Sequence, residues 1–345
     1  MKRTLSSQWM LALLLAAFAV GLLASCATSP PVAADKPAGP VWPPPPDPPR
    51  ITYVGSLRVP HDIGQSLAVF TRVGRWFTGD KGESQALQKP FGLALDESGN
   101  LCVTDTGANL VCFLDFTRKK WRRYPAAGKT SFASPVAVAR RNGIFYVADS
   151  ELGRVLAFHD NGASVFAIAA PLRRPVGLAI AGSSLAVVDS QTHTVFVFDL
   201  KGKFLFQFGR RGIGPGEFNF PTHIAADAQG RWLVTDSLNC RIQVFSPDGK
   251  FISQFGSSGD TSGHFGRPKG VAVDGDGHIY VVDAVFDNVQ IFDTTGRLLL
   301  NFGGSGGGPG EFSLPNGIAI APDNSIYVAD GYNHRVQIFK YLGGQ

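Results

Sequence analysis

Pro315-Asn316-Gly317-Ile318-Ala319-Ile320, then Asp323-Asn324, then Ile326-Tyr327-Val328-Ala329-Asp330, then Asn333-His334-Arg335-Val336-Gln337-Ile338-Phe339: this stretch decides the fold. Each apolar run is short, rich in β-branched residues and bounded by turn formers, which is the pattern of strands rather than helices. The unit recurs upstream. Its turn prolines are Pro90, Pro135, Pro175, Pro221, Pro268 and Pro315, and its strand-end aspartates are Asp105, Asp149, Asp189, Asp236, Asp283 and Asp330. The interval from proline to aspartate is 14 or 15 residues in every copy, and successive prolines lie 45, 40, 46, 47 and 47 residues apart. A period in the forties with several strands per unit is the signature of a propeller blade. Where a copy is complete a fourth strand follows, as at 204–209 and 251–256. The expected fold class is all-β, a six-bladed β-propeller of four-stranded antiparallel blades.

The sixth copy stops after its third strand, since only 341–345 follow. Three strands would leave an unpaired edge open to aggregation. Ile51-Thr52-Tyr53-Val54-Gly55-Ser56-Leu57 lies ahead of the first copy with no blade of its own. It is expected to complete the last blade and close the ring. The span 61–89 reads as an insertion leading into blade one, with 66–76 as an irregular outer element.

Composition fits many short strands and tight turns, with 41 Gly and 26 Phe against 2 Met. At the N-terminus, Lys2 and Arg3 precede an apolar run from Trp9 to Ala24, too short and too early for a membrane span and suited to an export signal. The run ends in Leu23-Ala24-Ser25-Cys26, which resembles the lipobox of bacterial lipoproteins. That resemblance implies a signal peptide over 1–25 and a diacylglycerol anchor on Cys26, the mature N-terminus. Ala27, where an inner-membrane protein would carry Asp, implies sorting to the outer membrane, facing the periplasm. Residues 26–49, with Pro43-Pro44-Pro45-Pro46, read as an extended tether ahead of a propeller domain over 50–345.

Removing Lys2 and Arg3 leaves 30 basic against 27 acidic residues, a net charge of +3. So small an excess is poor support for a polyanionic partner, and nucleic acid is not expected. In an oxidising compartment, Cys102 and Cys112 on neighbouring strands of blade one are candidates for a disulfide, while Cys240 reads as a buried free thiol.

The Gly-Pro-Gly-Glu-Phe stretches at 214–218 and 308–312, the Val-Ala-Asp strand ends and the Asn-x-Arg-Val-Gln-x-Phe third strands resemble NHL repeats. Blades four and six match well and five fairly. Blades one to three depart, as in Ser150-Glu151-Leu152-Gly153-Arg154 and Thr192-His193-Thr194. The resemblance spans about residues 90–340 and implies the fold. It says little about activity, because NHL propellers include protein-binding, RNA-binding and enzymatic members.

Among enzymes similar to NHL propellers, the amidating lyases hold zinc with three His from different blades. The matching position, two residues after each turn proline, carries Gly92, Ala137, Gly177, His223, Gly270 and Gly317. One histidine cannot supply the roughly three protein ligands of a catalytic zinc. His193 and His334 lie in loops of the same face but too spread for a shared ion. Calcium-dependent lactonases use an inner ring of oxygen ligands, whereas the inner strands here carry Leu93, Val136, Leu178, Ile224, Val271 and Ile318. No catalytic residue, metal or cofactor is expected, and a zinc- or calcium-dependent lyase or lactonase at the channel mouth is the alternative. The six aspartates, one per blade, read as turn fasteners. The glycine-rich stretches at 209–216 and 303–310 lack the Gly-Lys-Ser/Thr ending of a phosphate loop and open no helix.

Binding is the preferred reading. The inter-blade loops and the loops after the aspartates share one face, which collects Arg210, Arg211, Thr222, His223, Lys269, Phe286, Asp287, Asn316, Tyr332 and His334. Such a mixture suits a protein or peptide partner in the cell envelope, bound by a monomeric, lipid-anchored, non-enzymatic scaffold.

Overall fold

The computed structural model describes residues 39–65 and 85–343. The signal run, Cys26, the first part of the tether and the outer element at 66–76 lie outside the described residues.

The expected strands form and sort into six blades, with a small added hairpin pairing Ala126–Ala127 with Thr130–Ser131. Blade four is typical. Pro221–Ala226 is innermost, and Trp232–Asp236, Arg241–Phe245 and Phe251–Phe255 follow outward, each antiparallel to the one before. The innermost strands of the other blades begin at Pro90, Pro135, Pro175, Pro268 and Ile318.

The sixth blade closes as its missing strand requires. Ile51–Leu57 pairs antiparallel with Arg335–Tyr341, from Ile51 opposite Tyr341 to Leu57 opposite Val336, with a bulge between Tyr53 and Gly55. A further strand, Val41–Trp42, pairs with Ile51 and Thr52, so this blade has five strands. The tether expected over 26–49 therefore gives way to the ring sooner than its proline content implies. The Tyr53 N–H donates to the Pro40 carbonyl at 2.9 Å, and the Trp42 ring packs 5.8 Å from both Phe302 and Phe339. An indole laid on the last blade outweighs the extended preference of its proline neighbours and covers the outer edge.

Both faces of every blade pack against its neighbours, and only the outermost strands, such as Phe251–Phe255, are largely exposed. The apolar side chains form six clusters, one between each pair of neighbouring blades. Second strands such as Leu101–Asp105 and Ile279–Asp283 are buried along their whole length, which is why they read as continuous apolar runs instead of alternating ones.

The same geometry overturns the disulfide expected between Cys102 and Cys112. Cys102 stands opposite Phe113, and Cys112 stands opposite Val103. With a side-chain period of two, that one-residue offset sends the thiols to opposite faces of the blade. Cys102 packs in the layer toward blade two and Cys112 in the layer toward blade six, both as free thiols. Burial pushes both thiols up, that of Cys112 to about 12. Cys240 is also a buried free thiol.

The six aspartates are fully buried and fasten turns in two ways. Asp105 accepts the backbone N–H groups of Gln88, Lys89, Gly107 and Ala108, and Asp149, Asp189 and Asp283 are satisfied in the same manner. In blades four and six the donors are mostly side chains. Asp330 accepts from Asn333, from Arg335 Nε at 2.7 Å, from Gln337 and from the Ser313 N–H, and Asp236 repeats the set with Asn239, Arg241, Gln243 and Asn219. The Asn-x-Arg-x-Gln spacing thus buries a guanidinium beside a carboxylate. Replacing Asp330 with Ala leaves Arg335, 4% exposed, without its counter-charge. Thermal denaturation of Asp330→Ala is expected to show a loss of about 3–5 kcal/mol.

Candidate functional site

Because neighbouring strands run in opposite directions, the inter-blade loops and the turns after the aspartates lie on one face. The register shifts at the head of the innermost strands, between Pro90 and Leu93, Pro221 and Ile224, and Pro268 and Val271. A bulge re-aims side chains. Residues on both sides of the turn proline consequently reach one central cavity: Lys89 and Phe91, Ser134 and Val136, Arg174 and Val176, Phe220 and Thr222, Arg267 and Lys269. Its volume is about 570 Å³, within the range of small-molecule and peptide-end sites.

The floor is a ring pair. Phe91 of blade one stacks on His223 of blade four across the axis, with centroids 6.3 Å apart and planes 21° from parallel. Beneath lies a void of about 40 Å³ walled in part by Gly92, Gly177, Gly270 and Gly317. A side chain at Gly317 would strike the Phe91 carbonyl, so glycine here is what lets neighbouring inner strands touch. The mouth is accordingly a cup.

Hydroxyls rim the cup, and two of them donate to backbone carbonyls. Thr106 donates to the Lys89 carbonyl at 3.2 Å and Ser237 to the Pro268 carbonyl at 2.9 Å. What faces the ligand space is positive. Lys89, Arg174, Arg267 and Lys269 line the cavity, and none of its described lining residues is Asp or Glu. Lys89 Nζ lies 4.8 Å above the Tyr332 ring, and among the described residues none of the four cations is in an ion pair. Burial, and then the Arg267 charge, lower the Lys269 pKa. Burial, and then the Lys269 charge, push His223 down to about 3, so its ring is neutral at pH 7. Both ring nitrogens of His223 and the Thr222 hydroxyl are sealed from solvent and lack hydrogen-bond partners.

Of the residues expected on the binding face, Thr222, His223 and Lys269 line the cavity. The others serve the loops around it. Arg210 is paired with Glu217, Asp287 accepts from Ser305 and from the Leu314 N–H, and Asn316 is buried. His334 Nδ1 contacts the Gln88 carbonyl. Arg211 is exposed and Phe286 half-buried, and neither reaches the cavity. Sequence reading missed Lys89, Arg174 and Arg267. A signal was present, since all three immediately precede a turn proline, but this position lies outside the strands, where alternation does not say which way a side chain points. In blade two, Val138 takes the inner-ring place expected of Val136, which lines both the cup and the void beneath it.

The Gly-Pro-Gly-Glu-Phe loops satisfy themselves. Glu217 accepts the Gly214 N–H at 3.0 Å, and Glu311 accepts the Gly308 N–H at 2.8 Å. Among the described residues, the one group of three potential metal ligands is Asp274, Asp276 and His278. It occupies the turn after an innermost strand, on the face opposite the cup. There the Asp274 oxygens already accept from the Asp276 and His278 N–H groups and the Tyr280 hydroxyl.

A family described as a 6-bladed beta-propeller matches residues 169–231 and 226–285, and the NHL repeat matches residues 312–339. Virginiamycin B lyase from Staphylococcus aureus is a similar solved structure, 14% identical over 73% of this chain and 95% of its own, with a TM-score of 0.55. A protein of unknown function from Bacteroides thetaiotaomicron is 14% identical over 76% of this chain and 71% of its own, with a TM-score of 0.59. Hydrazine synthase from Kuenenia stuttgartiensis is 14% identical over 73% of this chain and 95% of its own, with a TM-score of 0.54. At such identities the likeness concerns the fold alone. The chain is a six-bladed β-propeller that carries an NHL repeat.

Proposed function

We propose that this propeller is a non-enzymatic binding platform, held at the cell envelope by a lipid on Cys26, whose cup takes an acidic segment of a protein or peptide partner. One observation carries the reading: four cationic side chains line the cup, and no described carboxylate lines it with them. An unbalanced cationic recess is electrostatically incomplete without a ligand, and complementary charge supplies selectivity and fast association. Phe220 and Leu238, both exposed, add apolar surface of the kind peptide sites present. The lipobox-like Leu23-Ala24-Ser25-Cys26 supports the envelope location.

The test is a calorimetric titration of the purified full-length protein with a glutamate-rich peptide and with a lysine-rich peptide of equal length. The acidic peptide is expected to bind, with affinity falling as salt rises, because screening acts over about 8 Å at physiological ionic strength. Equal binding of both peptides, or binding indifferent to salt, would contradict the proposal.

A further inference from the structure

Going round the mouth from blade one to blade six, the residue ahead of the turn proline is Lys89, Ser134, Arg174, Phe220, Arg267 and Leu314. Arg267 thus has bulky apolar residues at the equivalent positions of both neighbouring blades, Phe220 in the lining of the cup and Leu314 outside it. Phe220 is 44% exposed and Leu314 43% exposed, so burial does not account for their size.

Their backbones are unusual as well. Phe220 has φ 50° and Leu314 φ 48°, in the left-handed region that disfavours every side chain larger than glycine's, whereas the other four pre-proline residues avoid it. Both are held there by the preceding blade. The Phe220 N–H donates to His193 Nδ1 at 3.1 Å, and the Leu314 N–H donates to Asp287 Oδ1 at 2.8 Å. His193 and Asp287 occupy equivalent turn positions, four residues after Asp189 and Asp283, and are left-handed themselves, with φ 56° and 49°. Two latches therefore keep two exposed apolar side chains in a strained conformation that glycine would adopt freely. Strain maintained by surrounding structure is characteristic of ligand clamps and binding sites.

We propose that Phe220 and Leu314 are apolar clamps flanking Arg267, and that the segment they grip carries bulky apolar side chains next to its acidic residue. The occupant is thus an acidic and apolar stretch of a protein or peptide, chosen by charge complementarity to Arg267 and by the apolar surface on either side. This inference rests on the acidic-segment reading of the cup and narrows it.

Two short acetylated peptides, one alternating Glu with Leu and one alternating Glu with Ser, test it when titrated into the full-length protein and into a Phe220→Gly, Leu314→Gly double variant. The native protein is expected to prefer the Glu-Leu peptide by about tenfold, the order of factor that partial burial of apolar side chains gives. In the double variant that preference disappears, the Glu-Ser affinity persists, and the melting temperature holds or rises, because glycine relieves the strain. A preference retained in the variant would overturn the inference while leaving the acidic-segment reading intact. A preference lost together with a fallen melting temperature would also overturn it, assigning the two residues to the fold. If neither peptide binds the native protein, the acidic-segment reading fails and this inference with it.

Discussion

Deleting residues 39–57 is expected to lower the melting temperature of the chain by roughly 15 °C or more and to broaden its unfolding transition. The segment supplies both outer strands of the sixth blade, Val41–Trp42 and Ile51–Leu57. Ile51 is fully buried and Leu57 is 3% exposed, and Trp42 and Tyr53 pack edge-on against Phe339. Burial of such side chains contributes about 1.5–3 kcal/mol each. Four of them amount to a large part of the roughly 5–15 kcal/mol by which a domain is stable. The deletion also strips the ladder from Arg335–Tyr341 and exposes an edge that recruits other chains, so light scattering should rise with the fall in melting temperature. A variant that melts within a few degrees of the full chain, as one sharp transition, would show that ring closure does not depend on this segment.

This closing strand was legible because two facts met: a copy with three strands and an apolar, β-branched run with no blade of its own. The blades were legible for a similar reason. A proline-to-aspartate interval repeated in six copies fixes register without any knowledge of contacts. Failures arose where geometry depends on a single residue of offset. Cys102 and Cys112 look paired on neighbouring strands, but the pairing of Val103 with Cys112 separates their faces. Val41 and Trp42 were hidden in a proline-rich run because the partner that recruits them, the apolar surface where blades five and six meet around Phe302 and Phe339, is distant in sequence.

The cup was the least legible part. Thr222, His223 and Lys269 follow turn prolines at the head of a recognisable strand and were found, whereas Lys89, Arg174 and Arg267 precede those prolines, outside the strands, where alternation does not say which way a side chain points. Their charges were diluted in a chain with a small overall excess of positive charge. Local concentration of charge, rather than its sum, defines the recess.

That concentration is what the functional account depends on. Neutralising Arg174, Arg267 and Lys269 together as glutamines keeps an unbranched polar side chain at each position while removing three of the four positive charges. These three make no ion pair or side-chain hydrogen bond among the described residues, and the ordinary cost of breaking a structural salt bridge does not apply. Fold stability should change little. Hydrogen bonds to charged groups contribute about 1.5–3 kcal/mol where partly desolvated and less at an exposed rim. Summed over one half-buried lysine and two exposed arginines, the affinity for an acidic peptide is expected to fall on the order of 100-fold.

The most direct measurement is calorimetric titration of the glutamate-rich peptide into the native full-length protein and this triple glutamine variant at the same low ionic strength. The account predicts a clear binding isotherm for the native protein, a loss on the order of 100-fold in the variant and nearly equal melting temperatures for the two. Equal affinity in both proteins, with the fold intact, would contradict the claim that the cup is the binding site.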